Sequence, residues 1–378
     1  MYSVNELLKA RRIWAARYKN IHLHPNDLLW FKSQIVSASF RNFLPDIEPE
    51  KHEALFKKLL LNLRIADMEQ SMPELLKELP THFCEGNNLE QIRKVPGVIA
   101  TFHTGSFRLI GHYLAINQIP FTLVVSGNGL KREDSLVDTV YNTEQRETIG
   151  FDLIDANEKS CMLKICRALK EKRNVLIYVD GNTGVGEEID NENLIEIPFL
   201  GQQISIRTGA SFAAGIANVP LYPVICRRRW HYTTMLEFKP PIMPNHSLNR
   251  KEFAAASMST IYRYLETIVK EKPWQWEGWL YLHHCAKVVA EDSLHITESQ
   301  TQGGRNRKVM FNRNDYSFFR LDGKCFLFRK IDYACFEVEQ WLYIRLQQLY
   351  EGNYKFTVPM LERNRMKDLI RNRVVLEY

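Results

Sequence analysis

The residue whose type and setting are best suited to chemistry is His103, in the segment Ile99-Ala100-Thr101-Phe102-His103-Thr104-Gly105-Ser106-Phe107-Arg108. An imidazole titrates near neutral pH, so it can take up and return a proton within one reaction cycle. The apolar run Val98 to Phe102 predicts a strand that ends at His103, and a helix is predicted to follow from Leu109 to Ile116. A histidine between a strand end and a helix start has backbone N–H groups close by. That setting suits acyl transfer: the ring removes a proton from an acceptor hydroxyl or amine as that atom attacks a thioester, while nearby donors hold the oxyanion. Gly105, Ser106 and Arg108 follow as candidate substrate contacts. A lone histidine at a strand end is also a common structural residue, and spacing alone does not separate the two readings.

Other reactive side chains offer less. His283-His284-Cys285 puts residues of metal-ligating type side by side, but adjacent residues rarely face one ion together and no third ligand is apparent, so no metal site is expected. The seven cysteines are odd in number and form no Cys-x-x-Cys pair, which argues against a disulfide framework and for a reducing cytoplasm.

The elements that must position His103 follow from the apolar rhythm. From about residue 95, short apolar runs alternate with amphipathic segments. Strands are predicted at Phe121–Val125, at Asn174–Val179 ending on Asp180, and at Leu221–Cys226. Helices are predicted over Cys161–Glu171 and from near Thr208. This is the β-α-β pattern of an α/β fold: a mixed, largely parallel sheet flanked by helices. Ligands of such sheets bind beyond the carboxyl ends of the strands, where both His103 and Asp180 stand.

Residues 1–92 read as a helical N-terminal part of the same domain, broken at Pro25, Pro45, Pro49, Pro73 and Pro80. Leu55, Phe56, Leu59, Leu60, Leu63 and Ala66 form a helical apolar stripe. The α/β core is expected over 93–287. A polar, glycine-containing linker follows over 288–310, its Arg305, Arg307 and Lys308 solvated. A small winged α+β module completes the chain over 311–378, with a hairpin turn at Asp322-Gly323, a third strand at Ala334–Val338, and helices near 339–351 and 359–372. Arg227-Arg228-Arg229 is expected as a solvated strand exit.

Composition sets the outer bounds. With 378 residues, 45% hydrophobic and 25% charged, the chain can bury a core, and disorder is excluded. A net charge of +6 without dense Lys/Arg clusters excludes a dedicated nucleic-acid binder, yet favours a phosphate-bearing substrate, an acidic carrier protein or an anionic membrane face. No signal-peptide pattern opens the chain and no window approaches 18 uninterrupted apolar residues. A cytoplasmic protein, with superficial contact to the inner membrane as one option, is expected.

Over residues 38–286 five blocks, in order, resemble the lipid A late acyltransferases (lauroyl or myristoyl transferases) of the lysophospholipid acyltransferase superfamily. They are Phe40-Arg41-Asn42-Phe43-Leu44-Pro45; Gly97 to Phe107; Val175 to Asp180; Ile197-Pro198-Phe199-Leu200-Gly201 with Arg207-Thr208-Gly209-Ala210; and Pro273-Trp274-Gln275-Trp276 with Trp279. The resemblance implies an acyltransferase with no permanently bound cofactor, whose donor is acyl-CoA or acyl carrier protein and whose base is His103. It also implies a carboxylate five residues after the histidine, where this chain has Arg108. Ser106 stands where the family has Asn, and Trp274 where it has Glu. A cation at that point would lower the ring's pKa, so another acid must serve or activity is reduced. Asp180 is the first substitute expected and Glu277 the second.

Other roles follow from the same resemblance. Arg207 beside Thr208 is a candidate clamp for the donor's phosphate, and Arg108 a candidate for binding a carboxylate or phosphate. Phe199 and Gly201 are candidates for an apolar chain-binding floor. Trp274, Trp276, Trp279 and Tyr281 are candidates for an acyl tunnel, although core packing gives the same pattern. Residues 311–378 resemble the peptide-recognition domains of the pyrroloquinoline quinone peptide-chaperone type, which add a peptide strand to a sheet edge. That resemblance makes a leader peptide a candidate partner and a modified peptide an alternative acceptor to a lipid. The competing readings are a non-catalytic lipid- or peptide-binding protein on a degenerate fold, and a peripheral lysophospholipid acyltransferase.

Overall fold

The computed structural model describes residues 4–70, 81–83, 89–126, 149–181, 194–229, 234–245, 247–288, 309–352 and 362–377. In chain order the strands are β1 (Thr81–Phe83), β2 (Val98–Thr101), β3 (Phe121–Val125), β4 (Phe151–Asp155), β5 (Asn174–Tyr178), β6 (Leu194–Phe199), β7 (Gln202–Arg207), β8 (Leu221–Arg228), β9 (Thr234–Phe238) and β10 (Ala286–Lys287). The helices of the same stretch are α1 (Val4–Lys19), α2 (Leu28–Phe43), α3 (Pro49–Glu69), α4 (Leu89–Lys94), α5 (Leu109–Ile116), α6 (Cys161–Lys170), α7 (Gly209–Ala217) and α8 (Arg250–Glu271).

Two compact units emerge, Met1–Asn20 with Lys57–Lys287 and Ile21–Phe56 with Val288–Tyr378. Residues 21–56 thus group with the C-terminal part, whereas the sequence reading kept all of 1–92 as the helical N-terminal part of the domain whose α/β core is 93–287. The physical reason is the apolar face of α2, whose Trp30, Ile35 and Ala38 cluster with Phe319 and Phe328 of the C-terminal part. Arg41 adds an ion pair to Asp315 at 2.6 Å, and the Asn42 amide donates to the Lys330 carbonyl at 2.9 Å.

The first unit is built on a seven-stranded sheet of order β1-β9-β8-β2-β5-β3-β4. All its pairings are parallel except β8 with β9. Strand β2 is buried at every position, as a strand covered on both faces must be. Ile99, Leu176, Tyr222, Val224 and Phe121 form the centre of its core with Ile110 and Leu114 of α5. The sheet includes β1, β4 and β9, which the apolar rhythm did not foresee, β1 falling in the stretch read as helical. Helix α8 starts in a capping box, Asn249 accepting from the Glu252 N–H and Glu252 from the Asn249 N–H.

A second, antiparallel sheet runs β10-β7-β6. Its β6–β7 turn places Leu200 at φ +51° and Gly201 at φ +81°, the left-handed pair a two-residue hairpin demands. Gly201 is exposed there, with no atom within 4 Å of where a Cβ would stand. It serves the turn, which corrects its expected place in an apolar floor.

In the second unit β12 (Tyr316–Leu321), β13 (Lys324–Arg329) and β14 (Ala334–Val338) form an antiparallel sheet, and β11 (Val309–Phe311) pairs with β15 (Val375–Glu377). The turn at Asp322-Gly323 closes β12 on β13 as expected. Helices α9 (Gln340–Tyr350) and α10 (Glu362–Arg371) bury Tyr343, Leu346 and Leu349 with Phe311 and Phe318. Most of the expected linker, residues 289–308 with Arg305, Arg307 and Lys308, lies outside the described residues. Among the described residues no helix is long and apolar enough to cross a membrane.

Candidate active site

The β2–β5 register brings the site together. Thr101 stands opposite Tyr178 in parallel strands, so two residues further along each chain His103 meets Asp180. His103 Nδ1 lies 2.8 Å from Asp180 Oδ1, and the His103 backbone N–H donates to both carboxylate oxygens at 3.2 and 3.0 Å. The second oxygen, Oδ2, accepts from Trp276 Nε1 at 2.7 Å. The Asp180 side chain is 3% exposed and that of His103 28%, so the acid is enclosed while the base reaches the surface. Tyr178 stacks on the imidazole at a centroid distance of 4.6 Å, and Phe107 meets it edge-on at 4.7 Å.

The turn after His103 is held by the segment Pro273–Trp279. Gly105 N–H donates to the Gln275 carbonyl at 3.0 Å and Glu277 N–H to the His103 carbonyl at 3.0 Å, forming a bridge between Thr104 and Trp276. Gly105 has φ +55°, and a Cβ there would fall 2.9 Å from the Cys226 carbonyl oxygen. Glycine is therefore required both by conformation and by the closeness of β8.

Beneath the turn lies a buried ionic network. Arg228 and Glu69 are essentially unexposed, and Arg228 Nη1 contacts the two Glu69 oxygens at 2.9 and 2.8 Å. Arg228 Nε donates to Asn62 Oδ1 at 2.7 Å, and its other amino group donates to Ser106 Oγ. Ser106 in turn donates to Glu69, as does Arg11. The Gln275 side chain closes on the Arg228 backbone at both ends, at 2.6 and 2.8 Å. Two expectations are corrected by this network. Arg228 is not a solvated strand exit, because buried acceptors satisfy it on every side. Ser106, fully buried between Glu69 and Arg228, supports the turn and does not face a substrate.

The balance of charges also differs from expectation. Burial opposes the charged imidazole, and Arg108 opposes it further, but the Asp180 charge and hydrogen bond, with Glu277, prevail and raise the His103 pKa above its ordinary value. Burial would push the Asp180 carboxyl up, whereas His103, the Trp276 N–H and the His103 backbone pull it down. The lowered imidazole pKa expected from Arg108 is thus corrected. Arg108 lies over the Phe107 ring at 4.4 Å and 3.7 Å from Asp67.

A small, solvent-open cleft, about 20 Å³ in volume, adjoins the dyad, lined by Val179, Asp180, Ile204, Arg207, Tyr262, Trp276, Leu282 and Cys285. Phe199 is fully buried and packs on Tyr262 and Trp276, supporting two of the lining side chains without facing the cleft itself. Arg207 is exposed on the lining, and Thr208 is buried at the N-cap of α7. Of the expected tunnel aromatics, Trp276 and Trp279 are buried and meet edge to face with centroids 4.9 Å apart, while Tyr281 is exposed.

A family model for bacterial lipid A biosynthesis acyltransferases matches residues 73–285, more than half of the chain. The chain belongs to that family. This lipid A biosynthesis acyltransferase family member is also similar to the 1-acyl-sn-glycerophosphate acyltransferase PlsC of Thermotoga maritima, at 11% identity and a TM-score of 0.33, over 69% of this chain and 97% of that one. No curated protein matches it significantly. As a lipid A acyltransferase family member it is an acyltransferase, and the structure places a carboxylate beside its His103 from the end of β5, not from the position five residues after the histidine that the resemblance implied.

Sequence reading missed the Glu69–Arg228 pair because no local spacing joins positions 159 residues apart. One signal was available: Glu69 and Asn62 lie on the same helical face as Leu59 and Ala66, and polar residues within an apolar stripe call for buried partners. The Tyr178 stack and the Trp276 N–H gave no comparable signal.

Proposed function

We propose that the protein transfers a fatty acyl group from a thioester of coenzyme A or acyl carrier protein to a hydroxyl or amine of a lipid acceptor, with His103 as general base and Asp180 as its orienting carboxylate. The observation that carries this reading is the 2.8 Å contact between His103 Nδ1 and Asp180 Oδ1, which commits Nδ1 to the acid and leaves Nε2 to take a proton. Nε2 removes the acceptor proton as the acceptor oxygen or nitrogen bonds to the thioester carbon. The carbon–sulfur bond breaks, and the imidazolium returns the proton to the leaving thiolate. Donor, acceptor and dyad balance the step between them.

Val179, Ile204, Tyr262 and Leu282 give the cleft beside Asp180 an apolar lining, which suits contact with the part of an acyl chain next to the thioester. Arg207 on the same lining suits a donor phosphate. A lipid acceptor brings the protein to a membrane face, which the net charge of +6 favours where that face is anionic. The test is mass spectrometry of lauroyl-CoA incubated with the purified protein and a lipid A precursor. An acylated product that disappears in His103→Ala supports the proposal, whereas neither acylation nor thioester hydrolysis would sink it.

A peptide acceptor is the second reading, favoured by one observation. Strand β14 is the outer strand of its sheet, and its central residues are exposed, Phe336 to 42%. Phe336→Asp on this exposed edge separates the two: loss of acylation of a peptide, with lipid acylation intact, identifies the peptide as the acceptor that binds there.

A further inference from the structure

We infer that Trp276 is a positioning residue of the dyad, its indole N–H selecting which oxygen of Asp180 faces His103. This rests on the reading of His103 as the base. The His103 backbone N–H touches both oxygens almost equally, at 3.2 and 3.0 Å, and so does not choose between them. The indole does. It bonds Oδ2 alone at 2.7 Å, which leaves Oδ1 directed at Nδ1, 2.8 Å away. A carboxylate bound on one side only can rock about its Cβ–Cγ bond, and a second donor on the far oxygen removes that freedom.

The indole is itself fixed. Trp276 is 2% exposed, with Phe199 at 5.5 Å and Trp279 at 4.9 Å between ring centroids. Its backbone bridges to Thr104, next to His103. Gly278 forms the cradle: a Cβ at that position would lie 2.2 to 2.6 Å from the indole, inside contact distance of Cε2, Cζ2 and Nε1. Any side chain at 278 therefore displaces the ring from Asp180. The indole also lines the cleft, so its alternative role is that of a wall for the acyl chain.

Two variants attack the contact in opposite ways. Trp276→Phe keeps a ring and removes the N–H, while Gly278→Ala keeps the N–H and moves the ring. Steady-state turnover of lauroyl-CoA with a lipid A precursor is followed over pH by thiol release in the full-length protein. The His103 ring is titrated separately by nitrogen-15 NMR without substrate, identified by the signal missing from His103→Gln, and circular dichroism melts confirm folding. Both variants are expected to lower kcat by about tenfold or more, to leave KM for lauroyl-CoA within about twofold, and to move the His103 titration to lower pH. An unchanged kcat and titration in both variants overturns the assignment. So does a change confined to KM or chain-length preference, which would make the indole a cleft wall. If His103→Gln turns over at the wild-type rate, the base reading falls and the inference with it. If His103→Gln is inactive and Trp276→Phe is normal, only the role of Trp276 is lost.

Discussion

His103 and Asp180 are separated by 77 positions in the chain, yet Nδ1 and Oδ1 lie 2.8 Å apart because two adjacent parallel strands run in register and end together. The pair has a consequence for pH dependence. As the base proposed here, His103 must be neutral to act, and Asp180 raises the ring's pKa above 6.5, so kcat/KM should climb with pH through a limb lying above that value. Asp180→Asn removes the two largest influences that raise it and leaves burial, which lowers it. The limb should move below 6.5 while the plateau drops roughly 10²- to 10⁴-fold. A pH profile of kcat/KM in both proteins measures this, and a limb that stays in place would separate Asp180 from the base.

Arg108 has the opposite sign. Its charge lowers the His103 pKa, so Arg108→Met should move the limb to higher pH, an effect damped because the guanidinium is part-exposed and screened. Arg108→Asp, which places an acid where the resemblance implies one, should not raise activity, because Nδ1 is already engaged by Asp180. A gain of activity in Arg108→Asp would show that position 108 is still the better one.

These two residues mark how far the sequence could be read. The strands ending at His103 and Asp180 and the helix Leu109–Ile116 were legible, because buried parallel strands and amphipathic helices leave different apolar periods. So was the Asp322-Gly323 hairpin, since its turn chemistry is local. Asp180 could be named as a substitute acid because it ends a neighbouring strand, but the register that brings it to His103, the burial of Arg228 and the grouping of residues 21–56 with the C-terminal part were not legible. Each depends on which surfaces meet in three dimensions, and a charged residue reads the same in a chain whether it will be solvated or enclosed.

The enclosed pair Glu69–Arg228 makes a prediction about stability. Glu69→Gln leaves the Arg228 guanidinium buried without its counter-charge, and Arg228→Met does the same to Glu69, apart from the contact to Arg11. Each single change should cost about 3–5 kcal/mol. Glu69→Met with Arg228→Met removes both charges and should cost less than the sum of the two. Denaturant melts of the four proteins close the cycle, and strictly additive losses would show that the two charges do not depend on one another.

Gly105 tests whether the turn must sit where it does. Gly105→Ala meets two penalties: a side chain at φ +55°, costing about 1–2 kcal/mol, and a Cβ 2.9 Å from the Cys226 carbonyl oxygen, which only a movement of the turn can relieve. The turn carries His103 on one side and is tied to Gln275 on the other, so a shift of about 1 Å separates the base from its partners and can cost on the order of 10² in rate. Gly201→Ala is the matched control. It has φ +81° but no atom within 4 Å of the new Cβ, so it should lose a similar conformational increment with kcat unchanged. Melting temperatures and kcat for the two variants decide the matter: a parallel loss of stability with a loss of turnover confined to Gly105→Ala is expected, and equal turnover in both would mean that the position of the turn does not govern the chemistry.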